Sequence, residues 1–185
     1  MARETLYFIA LLPHTTVSDE ITAFRHDFAQ NYMSSRALRT MPHITLKAPF
    51  KLPDTEHDTL LDWFNSIRPD VGPFIVELED FGSFDNKNNP VIYVKPLMTP
   101  QLQALQASIV NAFEKNYPQI GIHYVEQKFH PHMTIAYRDL TAEQYERAMN
   151  VYRHKKYSAT FRADRFFLFH HNGEQWNIVA EHLLV

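Results

Sequence analysis

Pro42-His43-Ile44-Thr45-Leu46 and Pro131-His132-Met133-Thr134-Ile135 are two copies of one pattern, proline–histidine–apolar–threonine–apolar. In a strand, residues two apart share a face. His43 and Thr45 therefore point one way and Ile44 and Leu46 the other, and the same holds for His132 and Thr134 against Met133 and Ile135. Imidazole and hydroxyl groups make poor core fillers. The two histidines lie 89 residues apart, near half of a 185-residue chain. A duplicated unit related by approximate twofold symmetry would bring two imidazoles and two hydroxyls into one cleft.

The chain around these motifs alternates strands and helices. Thr5–Leu12 is an apolar, aromatic run closed by Pro13 and reads as a buried strand. Ser18-Asp19-Glu20 opens a helix whose apolar face is Ile21, Phe24, Phe28 and Tyr32. Arg36–Phe50 reads as the strand that carries the first motif, and Leu60, Leu61, Phe64 and Ile67 as a helix ended by Pro69. Phe74–Phe81 alternates at period two, a polar loop spans Asp85–Asn89, and Val91–Val94 is the partner strand. Leu102, Leu105, Ile109, Val110 and Phe113 mark a third helix. His132–Tyr137 is the second motif strand. Thr141 and Gln144 are spaced as a capping box for a helix to Tyr152. Tyr157–Phe169 and Gln175–Leu184 are strands joined at Asn172-Gly173, a hairpin signal. Strand, helix, strand, helix and hairpin recur about twice, which hints at duplication. The pattern predicts an α+β fold with a mixed sheet, in one domain over 1–185.

Composition narrows the chemistry. The apolar fraction is 45% and the net charge −3, as in an ordinary globular protein. The absence of cysteine excludes a disulfide scaffold, thiolate zinc ribbons, CxxC redox chemistry and a cysteine nucleophile. Only four glycines are present (Gly72, Gly82, Gly121 and Gly173), and no GxGxxG, Walker or GxSxG sequence can be written with them. The longest apolar run, Leu6–Leu12, is too short for a bilayer, which takes about 20 residues. Met-Ala-Arg-Glu lacks a signal-peptide pattern. A cytoplasmic location without membrane association is expected, and no obligate protein partner is implied. The acidic balance does not suit wrapping of long nucleic acid, but a small nucleotide or an RNA-terminal phosphate fits as substrate.

The paired motif suits displacement at phosphorus. Imidazole titrates near neutrality, so one ring can accept a proton while the other gives one. Threonine hydroxyls can donate to the non-bridging phosphoryl oxygens, where charge accumulates. These four groups need no cofactor.

Both motifs, His43-Ile44-Thr45-Leu46 and His132-Met133-Thr134-Ile135, carry the repeated His-x-Thr-x signature with apolar residues at x. On them the chain resembles the two-histidine (2H) phosphoesterases, the LigT-like or 2′-5′ RNA ligase superfamily. The resemblance spans essentially the whole sequence. It implies a bilobal, pseudo-twofold α+β fold with mixed antiparallel sheets and a cleft between lobes, one lobe from both chain ends and one from the middle. It implies 2′,3′-cyclic phosphodiesterase or 2′-5′ phosphodiester chemistry on RNA ends or small nucleotides, without metal. His43 would then protonate the leaving oxygen and His132 activate water. Some members carry a basic residue two positions after the second motif, where this chain has Ala136-Tyr137-Arg138.

Other residues have competing readings. If their strands run on, Lys47 continues the His43 face and Arg138 the His132 face, and either could bind phosphate or be an ordinary edge charge. Tyr137, Tyr7, Phe8 and Phe50 could stack on a base, though packing explains each. His130 and His132 could hold zinc, giving a zinc hydrolase, although Pro131 breaks the ladder between them. A module that binds a nucleotide or RNA end without turnover is a further alternative. His170-His171 reads as a hairpin tip and Arg153-His154-Lys155-Lys156 as a solvated helix end. Phe166, Phe167 and Phe169 read as core, and Trp63 and Trp176 carry no functional signal.

Overall fold

A computed structural model of the chain describes residues 3–185. The first two residues of the Met-Ala-Arg-Glu stretch lie outside that range. The elements run β1 (Glu4–Leu11), α1 (Thr15–Asn31), β2 (Ile44–Pro53), α2 (His57–Ser66), β3 (Phe74–Phe84), β4 (Val91–Pro96), α3 (Pro100–Asn116), α4 (Tyr124–Gln127), β5 (Met133–Ala136), α5 (Ala142–Tyr152), β6 (Ser158–Ala163), β7 (Arg165–His171) and β8 (Trp176–Leu183). Two four-stranded sheets form, in the orders β2-β1-β7-β8 and β5-β4-β3-β6. The first draws on both ends of the chain and the second on its middle. Every registered strand pair is antiparallel, so neither sheet has the mixed character expected. After α1, the chain spends residues 32–43 and a 3-10 turn, Arg36–Arg39, before β2 enters antiparallel to β1.

Each motif strand lies at the edge of its sheet beside an inner strand, β1 or β4, to which a 17-residue helix joins it. The helices are exchanged. Helix α1, from the first sheet's connection, packs on β5 of the second, and α3 packs on β2. Phe113 of α3 sits 4.5 Å from the ring of Phe50 in β2. One continuous apolar core runs beneath both sheets, and β1 feeds it Tyr7, Ile9 and Leu11. Its opposite face gives Phe8 and Ala10, which join Phe169 in a separate small cluster.

Several boundaries moved for local reasons. Helix α1 starts at Thr15 rather than Ser18, because the Ser18 amide already donates to the carbonyl of His14. The stretch 36–43 is not strand: Asp139 holds the amides of Ser35 and Arg36, and Pro42 has no amide for a ladder. Tyr157–Phe169 is two strands, because the chain crosses between sheets at Asp164, whose carbonyl accepts from the Leu184 amide. At the β7–β8 turn, Asn172 Oδ1 accepts from the amides of Glu174 and Gln175, and Gly173 has φ +106°. Thr141 caps α5 by accepting from the Gln144 amide, whereas Gln144 Oε1 accepts from Arg147, so the expected box is only half made.

Lys47 is the main correction to the expected site. Ala10 faces Thr45 but its neighbour Ile9 faces Lys47, so β2 carries an extra residue at Leu46. The bulge ends the simple alternation. Leu46 and Lys47 are both buried, and Lys47 leaves the face shared by His43 and Thr45. Its ammonium is fully buried, 2.8 Å from Glu126 Oε1 and 4.3 Å from the centroid of Phe113. Glu126 also accepts from the amides of Ala48 and His123. This pair ties the bulge to α4, in the segment leading to the second motif. Glu126→Ala should leave a charge buried and alone, at about 3–5 kcal/mol. The thermal midpoint should fall by roughly 10 °C; a midpoint within about 2 °C of the parent protein would show that the pair does not brace the fold.

Candidate active site

His43 and His132 occupy equivalent places, each one residue before its strand begins. Each ring is tethered alike. His43 Nδ1 lies 2.7 Å from the carbonyl oxygen of Met41, and His132 Nδ1 2.8 Å from that of His130. A carbonyl can only accept, so Nδ1 carries hydrogen in both rings and Nε2 is left for chemistry. The intervening Pro42 and Pro131 explain why the repeated motif begins with proline. Proline supplies no amide and biases the preceding residue toward extended backbone, which leaves that residue's carbonyl for the ring.

Both histidines and both threonines line a single cleft of about 460 Å³, a volume suited to a nucleotide-sized ligand. Arg138 and Tyr137 line it too. The route to Arg138 differs from expectation: β5 ends at Ala136, and Arg138 takes left-handed backbone, φ +64°, in the following turn. Its guanidinium stands 5.4 Å from the centroid of Tyr137. Asp139 fixes this turn by accepting from the Ser34 hydroxyl as well as from the Ser35 and Arg36 amides.

Three lining residues had no assigned role in the sequence reading. Arg25 is 2% exposed on α1. Its Nε and Nη2 donate to the carbonyl of Thr134 at 3.0 and 2.8 Å, and Nη1 donates to that of Thr40 at 2.6 Å. A helix of the first sheet thereby holds the motif strand of the second. Burial pushes its guanidinium down to about 10, so it stays charged at neutral pH. The signal was available, since Ile21, Arg25 and Phe28 share one buried helix face. Trp176 and His171 form an aromatic wall with Phe8: the Phe8 ring stacks on Phe169 at 4.5 Å, meets Trp176 edge-on at 4.6 Å and lies 5.0 Å from His43. Nothing in their local sequence marks them. Tyr7 and Phe50 belong to the core.

His130 turns away from a shared metal set. Its Nε2 lies 3.0 Å from the Tyr93 hydroxyl. Among the described residues, no three His, Asp or Glu side chains gather as ligands. Tyr93 lies across β3 at Gly82, where a Cβ would come within 2.7 Å of the ring, and it packs 5.6 Å from His132.

Burial holds both motif rings below the ordinary 6.5. Burial lowers His43 to about 4; the Met41 carbonyl opposes this, and the charges of Arg25 and His132 add to it. Burial also lowers His132, against the pull of the His130 carbonyl.

Comparisons with known proteins bear on the family and the fold. The sequence profile of the 2′-5′ RNA ligase superfamily matches residues 13–175. A Bacillus cytotoxicus protein named "Putative phosphoesterase" is 31% identical over 174 residues, covering 92% of this chain and 91% of its own. A Staphylococcus haemolyticus protein with the same designation is 32% identical, over 75% of this chain and 73% of its own. Among solved structures, a Thermus thermophilus protein has a TM-score of 0.68 at 16% identity, with 97% of each chain covered. Escherichia coli LigT in complex with 3′-AMP has a TM-score of 0.62 at 14% identity, with 98% of each covered. At such identities the solved structures bear on the fold alone.

Arg25→Met tests the electrostatic reading. It removes a positive charge that holds His43 down, so the His43 ring should titrate at higher pH in NMR spectra. It should also cost about 1–3 kcal/mol for each buried carbonyl left bare. An unmoved His43 titration in a folded variant would contradict the assigned cause.

Proposed function

This chain belongs to the 2′-5′ RNA ligase superfamily, and from that membership we propose that its cleft hydrolyses 2′,3′-cyclic or 2′-5′ phosphodiesters of RNA ends or small nucleotides. The observation that carries the reading is the pair of identically tethered imidazoles lining one cleft with two threonine hydroxyls. That a LigT structure holds 3′-AMP supports a nucleotide-bearing ligand.

In this mechanism the phosphorus sits between the two Nε2 atoms. One neutral ring takes a proton from water as the new P–O bond forms. The other, protonated, gives its proton to the departing ribose oxygen as the old P–O bond breaks. Thr45 and Thr134 donate to the non-bridging oxygens, and Arg138 and buried Arg25 add positive potential. The family resemblance gives His43 the acid's part and His132 the base's. Because burial lowers both rings, the substrate's own negative charge must raise one to hold the proton. The proton transfers use the two imidazoles and water, with no metal.

The test is hydrolysis of 2′,3′-cyclic nucleotides and 2′-5′ dinucleotides in EDTA. His43→Ala and His132→Ala should each lower kcat/KM by about 10²–10⁴. Nucleotide binding without turnover of any of these would replace the enzyme reading with a recognition module, and turnover that chelation abolishes would point to a metal hydrolase. The pH dependence has a worked sign. The reactive pair carries one proton, and both free-protein values lie below the ordinary 6.5. The kcat/KM profile should therefore be a bell that rises near pH 4 and already falls below pH 6.5. Substrate charge should shift the kcat profile upward. A flat profile from pH 5 to 8 would remove the paired-imidazole mechanism.

A further inference from the structure

A second cavity, of about 320 Å³, opens on the other side of His132 and Thr45. It shares those two residues with the first cleft and none of the first cleft's aromatic wall. Its sides are Phe84, before the β3–β4 turn, and Tyr124 and Phe129, from the segment leading to the second motif. Tyr124 is 65% exposed, and the Lys128 ammonium stands 4.9 Å from its ring centroid. Phe84 meets His132 edge-on at 5.1 Å, so the aromatic lining begins at the reactive ring.

From this junction we propose that the substrate is an acyclic phosphodiester with a nucleoside-sized group on each side of phosphorus, one against Phe8 and Trp176 and the other against Phe129 and Tyr124. This rests on the function proposed above and narrows it. A terminal 2′,3′-cyclic phosphate keeps base and leaving oxygen on one ribose and fills one cavity. A 2′-5′-linked dinucleoside has a second base to place, and its phosphate would lie at the residues the cavities share. Aromatic faces accept any base by stacking, and Lys128 adds positive charge at the outer rim.

The decisive quantity is the ratio of kcat/KM for 2′-5′ ApA to that for 2′,3′-cyclic AMP. Stacking of one base is worth about 5- to 150-fold; a strained cyclic phosphodiester is intrinsically the more reactive compound, so the second arm is read from the change in this ratio between native protein and variant. Tyr124→Ala and Phe129→Ala should lower that ratio by a similar factor, chiefly through KM. Phe129 packs on the core, so the exposed Tyr124 supplies the variant whose folding is not at issue. A ratio unchanged in Tyr124→Ala would overturn the two-armed site and leave the hydrolase reading intact. If neither compound is turned over, the hydrolase reading fails, and calorimetry decides this one. A Kd for 2′-5′ ApA weakened at least about fivefold in Tyr124→Ala sustains the second arm; an unchanged Kd ends it.

Discussion

The exchange of helices between the two sheets is the constraint on which the site depends. Neither motif strand is covered by the helix that leads into it. Helix α1 lies on β5 and α3 on β2. The Arg25 fork on the Thr134 carbonyl fixes one crossing, and Phe113 against Phe50 and Lys47 packs the other. Separating the sheets would bare a guanidinium, two carbonyls and an ion pair in an apolar interior. Each is costly to bury without partners, so the two histidines are held across the cleft by the packing beneath it.

The site is thus symmetric in design and uneven in charge. Both rings use the same carbonyl tether two residues back, which sets the same tautomer. Arg25 bonds the Thr134 carbonyl of the second motif strand, and its charge bears on His43. Phe8 backs His43, whereas Phe84 and Tyr93 back His132. Burial among these rings lowers both imidazoles.

Much of this was legible in the sequence. The repeated Pro-His-x-Thr gave the shared face of each His and Thr, and all four line one cleft, because alternation on a strand is local; the glycine hairpin and the Thr141 cap are local too. Lys47 was misread because a bulge is set by the partner strand, and nothing in Leu46-Lys47-Ala48 announces it. Arg138 reached the cleft by a turn rather than by strand continuation. Arg25 was visible as a charge within a buried helical stripe, but its partner Thr134 lies 109 residues away. Trp176 and His171 enter only through the pairing of β7 with β1 and β8, and long-range register leaves no trace in short segments.

The most direct measurement follows the ring signals of His43 and His132 together in NMR spectra while inorganic phosphate is added. The account predicts that both shift along one saturation curve with one Kd, and that both rings gain proton affinity in the complex. Movement of one ring alone, or two unrelated binding curves, would contradict a single phosphorus site shared by the two imidazoles.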